Sequence, residues 1–169
     1  TVLIGYLLVQ ALWQAGIPKE VLQFVPCSGA DVGSALIKDP RVNCVILTGG
    51  TETARSFLKM RPDLDLAAET GGKNSLIITA LSDRDLAIKE LVQSAFGHAG
   101  QKCSAASLAI LEAEVYDDPH FRKTLKEAAA SWKVGVPWDL STRMNPLIHE
   151  PRGALKRGLT TLEPGEEWL

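Results

Sequence analysis

Cysteine and histidine are both scarce in this sequence, three of each in 169 residues. Cys27, Cys44 and Cys103 form no CxxC pair. An odd, widely spaced set of thiols argues against a disulfide framework and against a zinc site, and fits a reducing, cytoplasmic setting. His98, His120 and His149 are too scattered to suggest a metal cluster, so no metal is expected. Charge of one sign is lacking as well. Eighteen basic against twenty acidic residues leave a net charge of −2 with no long run of either sign, which points away from nucleic acid and from an anionic membrane surface. No apolar run is long enough to span a bilayer. The opening TVLIGYLLVQALW comes nearest, but Gln10, Gln14 and Gly16 interrupt it, and a buried helix is expected there instead. There is no internal repeat and no low-complexity tract. A small molecule is the partner that these absences leave.

What is present is an alternation. Residues 3 to 16 read as a mostly apolar helix closed by Gly16 and Pro18, and VLQFVP (21 to 26) reads as a strand. GADVGSALIKD is a short helix, and NCVILT (43 to 48) is a continuous apolar run of the kind buried on both faces of a parallel sheet. Gly49 and Gly50 lead into a helix over TETARSFLKM, and LAAETGGKNSLIIT carries strand material on both sides of Gly71-Gly72. Ser82 and Asp85 form a capping box for a helix running to about Gly97. SLAILEAEVY (107 to 116) is a strand, HFRKTLKEAAASWK a helix with a solvated face, and beyond Val134 prolines and glycines suggest loops or short elements. Strand and helix in turn predict an α/β fold with a doubly wound parallel sheet.

Two clusters could do chemistry. In Gly97-His98-Ala99-Gly100-Gln101-Lys102-Cys103-Ser104-Ala105, a cysteine follows a helix among small residues, which let a ligand approach the backbone closely. A cation beside a thiol favours its thiolate, the nucleophilic form. Taken alone, Cys103 reads first as a small core residue, which is how Cys27 and Cys44 are read. The second cluster, Ala68-Glu69-Thr70-Gly71-Gly72-Lys73-Asn74, ends an apolar run in a carboxylate followed by paired glycines. A turn with an exposed acid is its bland alternative. A third segment, Leu47-Thr48-Gly49-Gly50-Thr51-Glu52-Thr53-Ala54, sits between strand and helix, where backbone N–H groups and the helix dipole suit a pyrophosphate. It lacks a full G-x-G-x-x-G, and a tight turn capped by Thr51 is the alternative.

Glu69 and Cys103 stand 34 residues apart. In these motifs and at this spacing the sequence resembles the aldehyde dehydrogenase superfamily, and the similarity runs from the first helix to Asn145-Pro146-Leu147. The resemblance implies that Cys103 is the nucleophile and Glu69 the general base. Thr48, Gly49, Gly50 and Thr51, with Glu69, Thr70 and Gly71, would line the cofactor, and Gly29 would lie near its adenosine half. Ala54 and Asn145 depart from the glycines many members carry there. The fold implied is part of a Rossmann-like sheet continuing into the catalytic domain, with residues 1–70 the C-terminal half of the NAD-binding domain and 71–169 the start of the cysteine domain.

Within the superfamily, Gln101-Lys102-Cys103-Ser104-Ala105 and the helix before it look most like bacterial 1-pyrroline-5-carboxylate (L-glutamate γ-semialdehyde) dehydrogenases, some of which are joined to a proline dehydrogenase. That resemblance implies proline catabolism, a homo-oligomeric parent, a substrate α-carboxylate held by Ser104, and Phe96 packed near the substrate chain or, equally, in the core. It also implies the chemistry. Cys103 adds to the aldehyde, hydride passes to NAD, and water activated by Glu69 hydrolyses the thioester. NADP stays open, because the residues that read the ribose would precede Thr1, as would the asparagine that completes the oxyanion hole. The chain is therefore expected to be an internal piece with little activity alone. A succinate semialdehyde type of enzyme, or a silent aldehyde dehydrogenase-like binding protein, are the alternatives.

Overall fold

The computed structural model describes residues 2–169 and divides into two compact units, one ending at Gly71 and one spanning Gly72–Leu169. Each is built on a pair of parallel strands. In the first unit the order is α1 (Val2–Gln14), a π-helical turn (Gly29–Gly33), α2 (Ser34–Lys38), β1 (Cys44–Thr48), α3 (Thr51–Met60) and β2 (Asp65–Glu69). The second contains β3 (Asn74–Ile78), α4 (Arg84–Phe96), a 3-10 turn (Gly97–Gly100), β4 (Ala106–Leu111), α5 (Ala113–Tyr116), α6 (Pro119–Ala130) and α7 (Gly153–Thr160). Both pairs are strand–helix–strand crossovers, the connection that parallel strands require. The α/β class with parallel sheets expected from the alternation is the one observed.

The first unit corrects three expectations. Residues 21–26 pair with no strand and run as irregular chain. They fold back along α1 instead, where the Leu22 carbonyl accepts from the Trp13 indole N–H at 2.9 Å and Phe24 packs on Tyr6 with ring centroids 6.0 Å apart. β-Branched composition gave the strand signal, but a strand needs a neighbouring ladder. The helix α1, expected to be buried, has no buried residue, and Val2, Leu3, Ile4, Leu7 and Leu8 all face solvent. β1 is likewise not covered on both faces, since exposed and half-buried residues alternate along it and Ile46 is 84% exposed. What orders this unit is the pairing of β1 with β2 and a clasp by Arg61, whose Nη1 donates to the carbonyls of Asp39 and Val42 just before β1.

The second unit has a real core. Ile78, Ile88, Leu91, Val92, Val115 and Phe121 are buried together, uniting β3, α4, α5 and α6. Strand β4 stops at Leu111, five residues before the expected end, because Glu112 turns the chain into α5 and places Val115 at the centre of that core. The start of α4 is also corrected. Its cap is Asp83, whose carboxylate accepts from the Leu86 N–H at 2.9 Å, while Ser82 is spent on the Thr79 N–H one turn earlier. The short elements expected after Val134 include one helix, α7, whose bounds the sequence does not mark. Eight residues that include Gly153 and Gly158 carry too weak a helical signal.

Removing the cap tests this assignment. Asp83→Ala is expected to cost about 1 kcal/mol in urea unfolding, with Asp83→Asn near wild type, whereas Ser82→Ala should cost less than Asp83→Ala.

Candidate active site

Parallel strands release the chain at a common edge, and ligands of open α/β sheets bind outside the carboxyl ends of the strands. In the first unit that edge is made by the two segments singled out as cofactor-contacting. The register aligns Thr48, the last residue of β1, with Glu69, the last residue of β2, and the Gly49 N–H donates to the Glu69 carbonyl at 3.0 Å. The Thr48-Gly49-Gly50-Thr51 turn and the Glu69-Thr70-Gly71 segment therefore leave the sheet side by side. Nothing in the sequence alone announced that contact.

The turn feeds α3. Its cap is Gly50, in extended conformation and without a side-chain cap bond, and Thr51 is the first helical residue; the reading of Thr51 as cap is thus corrected. The first N–H groups of such a helix have no partner within it, which leaves donors at its positive end. Neither glycine is crowded, since a Cβ at Gly49 would meet only the Leu47 side chain at 3.4 Å, and one at Gly50 the Thr53 hydroxyl at 3.8 Å. The Glu69 side chain is exposed at the strand end. Gly29 opens the π-helical turn, and its carbonyl accepts from the Ser34 hydroxyl at 2.7 Å.

In the second unit Cys103 lies in the segment between the 3-10 turn and β4, exposed to solvent, as are Cys27 and Cys44. The approach to it is wound in the left-handed sense. His98, Ala99 and Gly100 have φ of 53°, 55° and 68°, a conformation that costs a residue with a Cβ roughly 1–2 kcal/mol. Glycine is needed at the last of these, because a Cβ there would stand 3.1 Å from the Ala95 carbonyl. Side chains then hold the cysteine segment. The Asn74 amide donates to the carbonyls of Cys103 at 2.6 Å and Ala105 at 3.1 Å, and the Ser94 hydroxyl of α4 accepts from the Ala106 N–H at 3.2 Å. Sequence reasoning missed Asn74 and Ser94. A polar amide at the first position of a strand, one residue after paired glycines, was the available signal.

Ser104 is exposed beside Cys103 and shares with Lys102, His98, Ser94 and Glu90 the lining of a polar pocket of about 320 Å³. Phe96, at the end of α4, packs edge-on against Trp132 with centroids 6.2 Å apart and flanks the core cluster. Glu69 belongs to the first unit and Cys103 to the second.

The sequence model of the aldehyde dehydrogenase family matches residues 1–159, and the chain belongs to that family. It is 37% identical over 158 residues to a 1-pyrroline-5-carboxylate dehydrogenase of Geobacillus sp. (strain WCH70), a match covering 89% of this chain and 30% of that protein. Among solved structures, proline utilization A (PutA) from Corynebacterium freiburgense superposes with a TM-score of 0.89 at 47% identity, covering 98% of this chain and 17% of that one. The 1-pyrroline-5-carboxylate dehydrogenase from Thermus with bound NAD gives a TM-score of 0.79 at 31% identity, covering 88% and 30%. The chain thus spans less than a third of the length of these relatives.

The left-handed turn is testable. Gly100→Ala should destabilise the protein by more than about 1 kcal/mol in denaturant unfolding, since it adds both left-handed strain and a clash. Ala99→Gly should stabilise it by up to about 1 kcal/mol for the opposite reason.

Proposed function

We propose that these residues carry the nucleophile and the general base of an enzyme that oxidises L-glutamate γ-semialdehyde, the open form of 1-pyrroline-5-carboxylate, to L-glutamate with NAD as the electron acceptor. The observation that carries this reading is the alignment of Thr48 with Glu69, which brings a glycine-paired helix start and a carboxylate to one strand edge. The name and bound NAD of the Thermus relative support it. Uncrowded glycines at Gly49 and Gly50 and the free end of α3 fit a pyrophosphate. Thr48, Gly49, Gly50 and Thr51, with Glu69, Thr70 and Gly71, would hold the dinucleotide, and Gly29 would approach its adenosine half.

In this reading residues 1–70 belong to the cofactor domain and 71–169 to the domain of the nucleophile. The Cys103 sulfur adds to the aldehyde carbon, and the Cys103 backbone N–H donates to the oxygen that gains charge. NAD, held by the Thr48-Gly49-Gly50-Thr51 turn and the Glu69-Thr70-Gly71 segment, would supply the two-electron acceptor for the oxidation. Glu69 takes a proton from water as the water attacks the thioester carbon, releasing the carboxylate product and the Cys103 thiol. A substrate α-carboxylate finds a hydroxyl and a cation in the pocket shared by Ser104 and Lys102. Phe96 would flank the substrate's alkyl chain from the end of α4. That pocket also holds Glu90, whose carboxylate would suit the α-ammonium that glutamate semialdehyde has and succinate semialdehyde lacks. A proline dehydrogenase in the same polypeptide, supported by the likeness to proline utilization A, is checked by the mass of the intact protein.

The full-length protein is the one to assay, with the 169 residues alone expected to form little NADH. Cys103→Ala should abolish NADH formation from glutamate semialdehyde. Glu69→Gln should keep a first-turnover burst of NADH and lose steady turnover, with the acyl group detectable on Cys103 by mass spectrometry. A Cys103→Ala enzyme that turned over normally, or a Glu69→Gln enzyme with an unchanged steady rate, would refute the assignment. Ser104→Ala should raise KM for glutamate semialdehyde through loss of the contact to its α-carboxylate, with a smaller effect on kcat.

A further inference from the structure

Strand β4 does not join β3 cleanly at its start. Asn74 is opposite Ala106 but Ser75 is opposite Leu108, so Ser107 is an extra residue and the ladder is broken at the point where the Cys103 segment enters the sheet. A bulge of this kind leaves backbone groups next to it without ladder partners. The carbonyls of Cys103 and Ala105 lie just outside the ladder, and what they find is a side chain. Both accept from Asn74 Nδ2, at 2.6 and 3.1 Å. Carbonyls only accept, so the nitrogen end of the amide has to face them, and its two N–H groups match two acceptors.

We infer that Asn74 is a positioning residue for Cys103: by gripping the carbonyls on either side of Ser104 it fixes the peptide backbone that carries the nucleophile. The inference rests on the proposed role of Cys103 and adds to it the group that sets the nucleophile's place. Position 103 follows a loop whose left-handed turn is costly and is tied to the sheet only through this bulge, so the amide is the brace between β3 and the nucleophile. Ser94 holds the next N–H from the side of α4, and the segment is thereby fixed from both neighbouring elements. Misplacing a nucleophile and an oxyanion-donating N–H by about 1 Å costs on the order of 100-fold in rate, while binding of the remote parts of the ligands is spared.

The test uses the full-length enzyme with Asn74→Ala and Asn74→Asp, the second nearly isosteric but presenting oxygen to both carbonyls. Four quantities are measured on each variant: kcat, KM for NAD and aldehyde, the pH profile of Cys103 alkylation by iodoacetamide, and the urea unfolding midpoint. The expected result is a kcat lowered about 10- to 100-fold, with a slowed or shifted alkylation profile. KM values and the unfolding midpoint should stay close to wild type, and Asn74→Asp should be affected at least as much as Asn74→Ala. A kcat within about twofold of wild type overturns the inference, as does a loss shared equally by NAD affinity and the unfolding midpoint, which would mark Asn74 as a general structural residue. Cys103→Ser is assayed in parallel. If it turns over like wild type, the functional reading itself has failed; if it is inactive and the Asn74 variants are normal, only the positioning role has.

Discussion

Parallel pairing is the constraint on which the rest of this chain depends. Two strands that run the same way must be joined by a crossover, and the crossover returns the chain so that both strands end on one side. In the first unit this is what makes Gly49 a hydrogen-bond partner of Glu69, although Glu69 stands twenty positions further along the chain, beyond α3. In the second unit the same rule sends β3 out through α4 and back into β4, so the segment preceding β4 is delivered to the start of β3, where Asn74 meets it. Carboxylate and cysteine are thus placed by opposite ends of their strand pairs, the one where a strand stops and the other where a strand begins.

The two pairs are supported unequally. Behind β3 and β4 lie α4 and α6, closed by Phe121 and Val115, which are 1% and 0% exposed. Among the described residues the β1–β2 pair has only Ile37, Ala54 and Leu64 buried around it, and long apolar side chains of α1 and β1 remain in contact with solvent. Backbone hydrogen bonds and the Arg61 clasp hold that unit in place of a packed interior. Its segments proposed to hold the cofactor therefore sit on a scaffold of main-chain geometry, whereas the cysteine segment is braced against a hydrophobic cluster.

Local patterns were legible in the sequence, and partners across space were not. The helices α3, α4 and α6 and the strands β1, β2 and β3 follow from apolar periodicity and glycine punctuation, which act over a few residues. Residues 21–26 had the composition of a strand and lacked only a neighbour to pair with, which composition cannot supply. Ser82 and Asp83 are both good caps, and the choice between them fell to the Thr79 N–H, which took Ser82 for itself. The site divides in the same way. Cys103 and Glu69 stand out through the motifs around them, while the alignment of Thr48 with Glu69 depends on parallel register, and Asn74 matters because of a one-residue slip between strands.

The grip on the cysteine segment has a property of its own. Asn74 holds main-chain oxygens and leaves the thiol untouched. Position 103 is therefore a socket whose shape is indifferent to what is plugged into it: serine, an alkylated sulfur or an oxidised one would sit on the same peptide in the same place. Chemistry at this point of the chain can be exchanged or chemically silenced without rebuilding the frame around it.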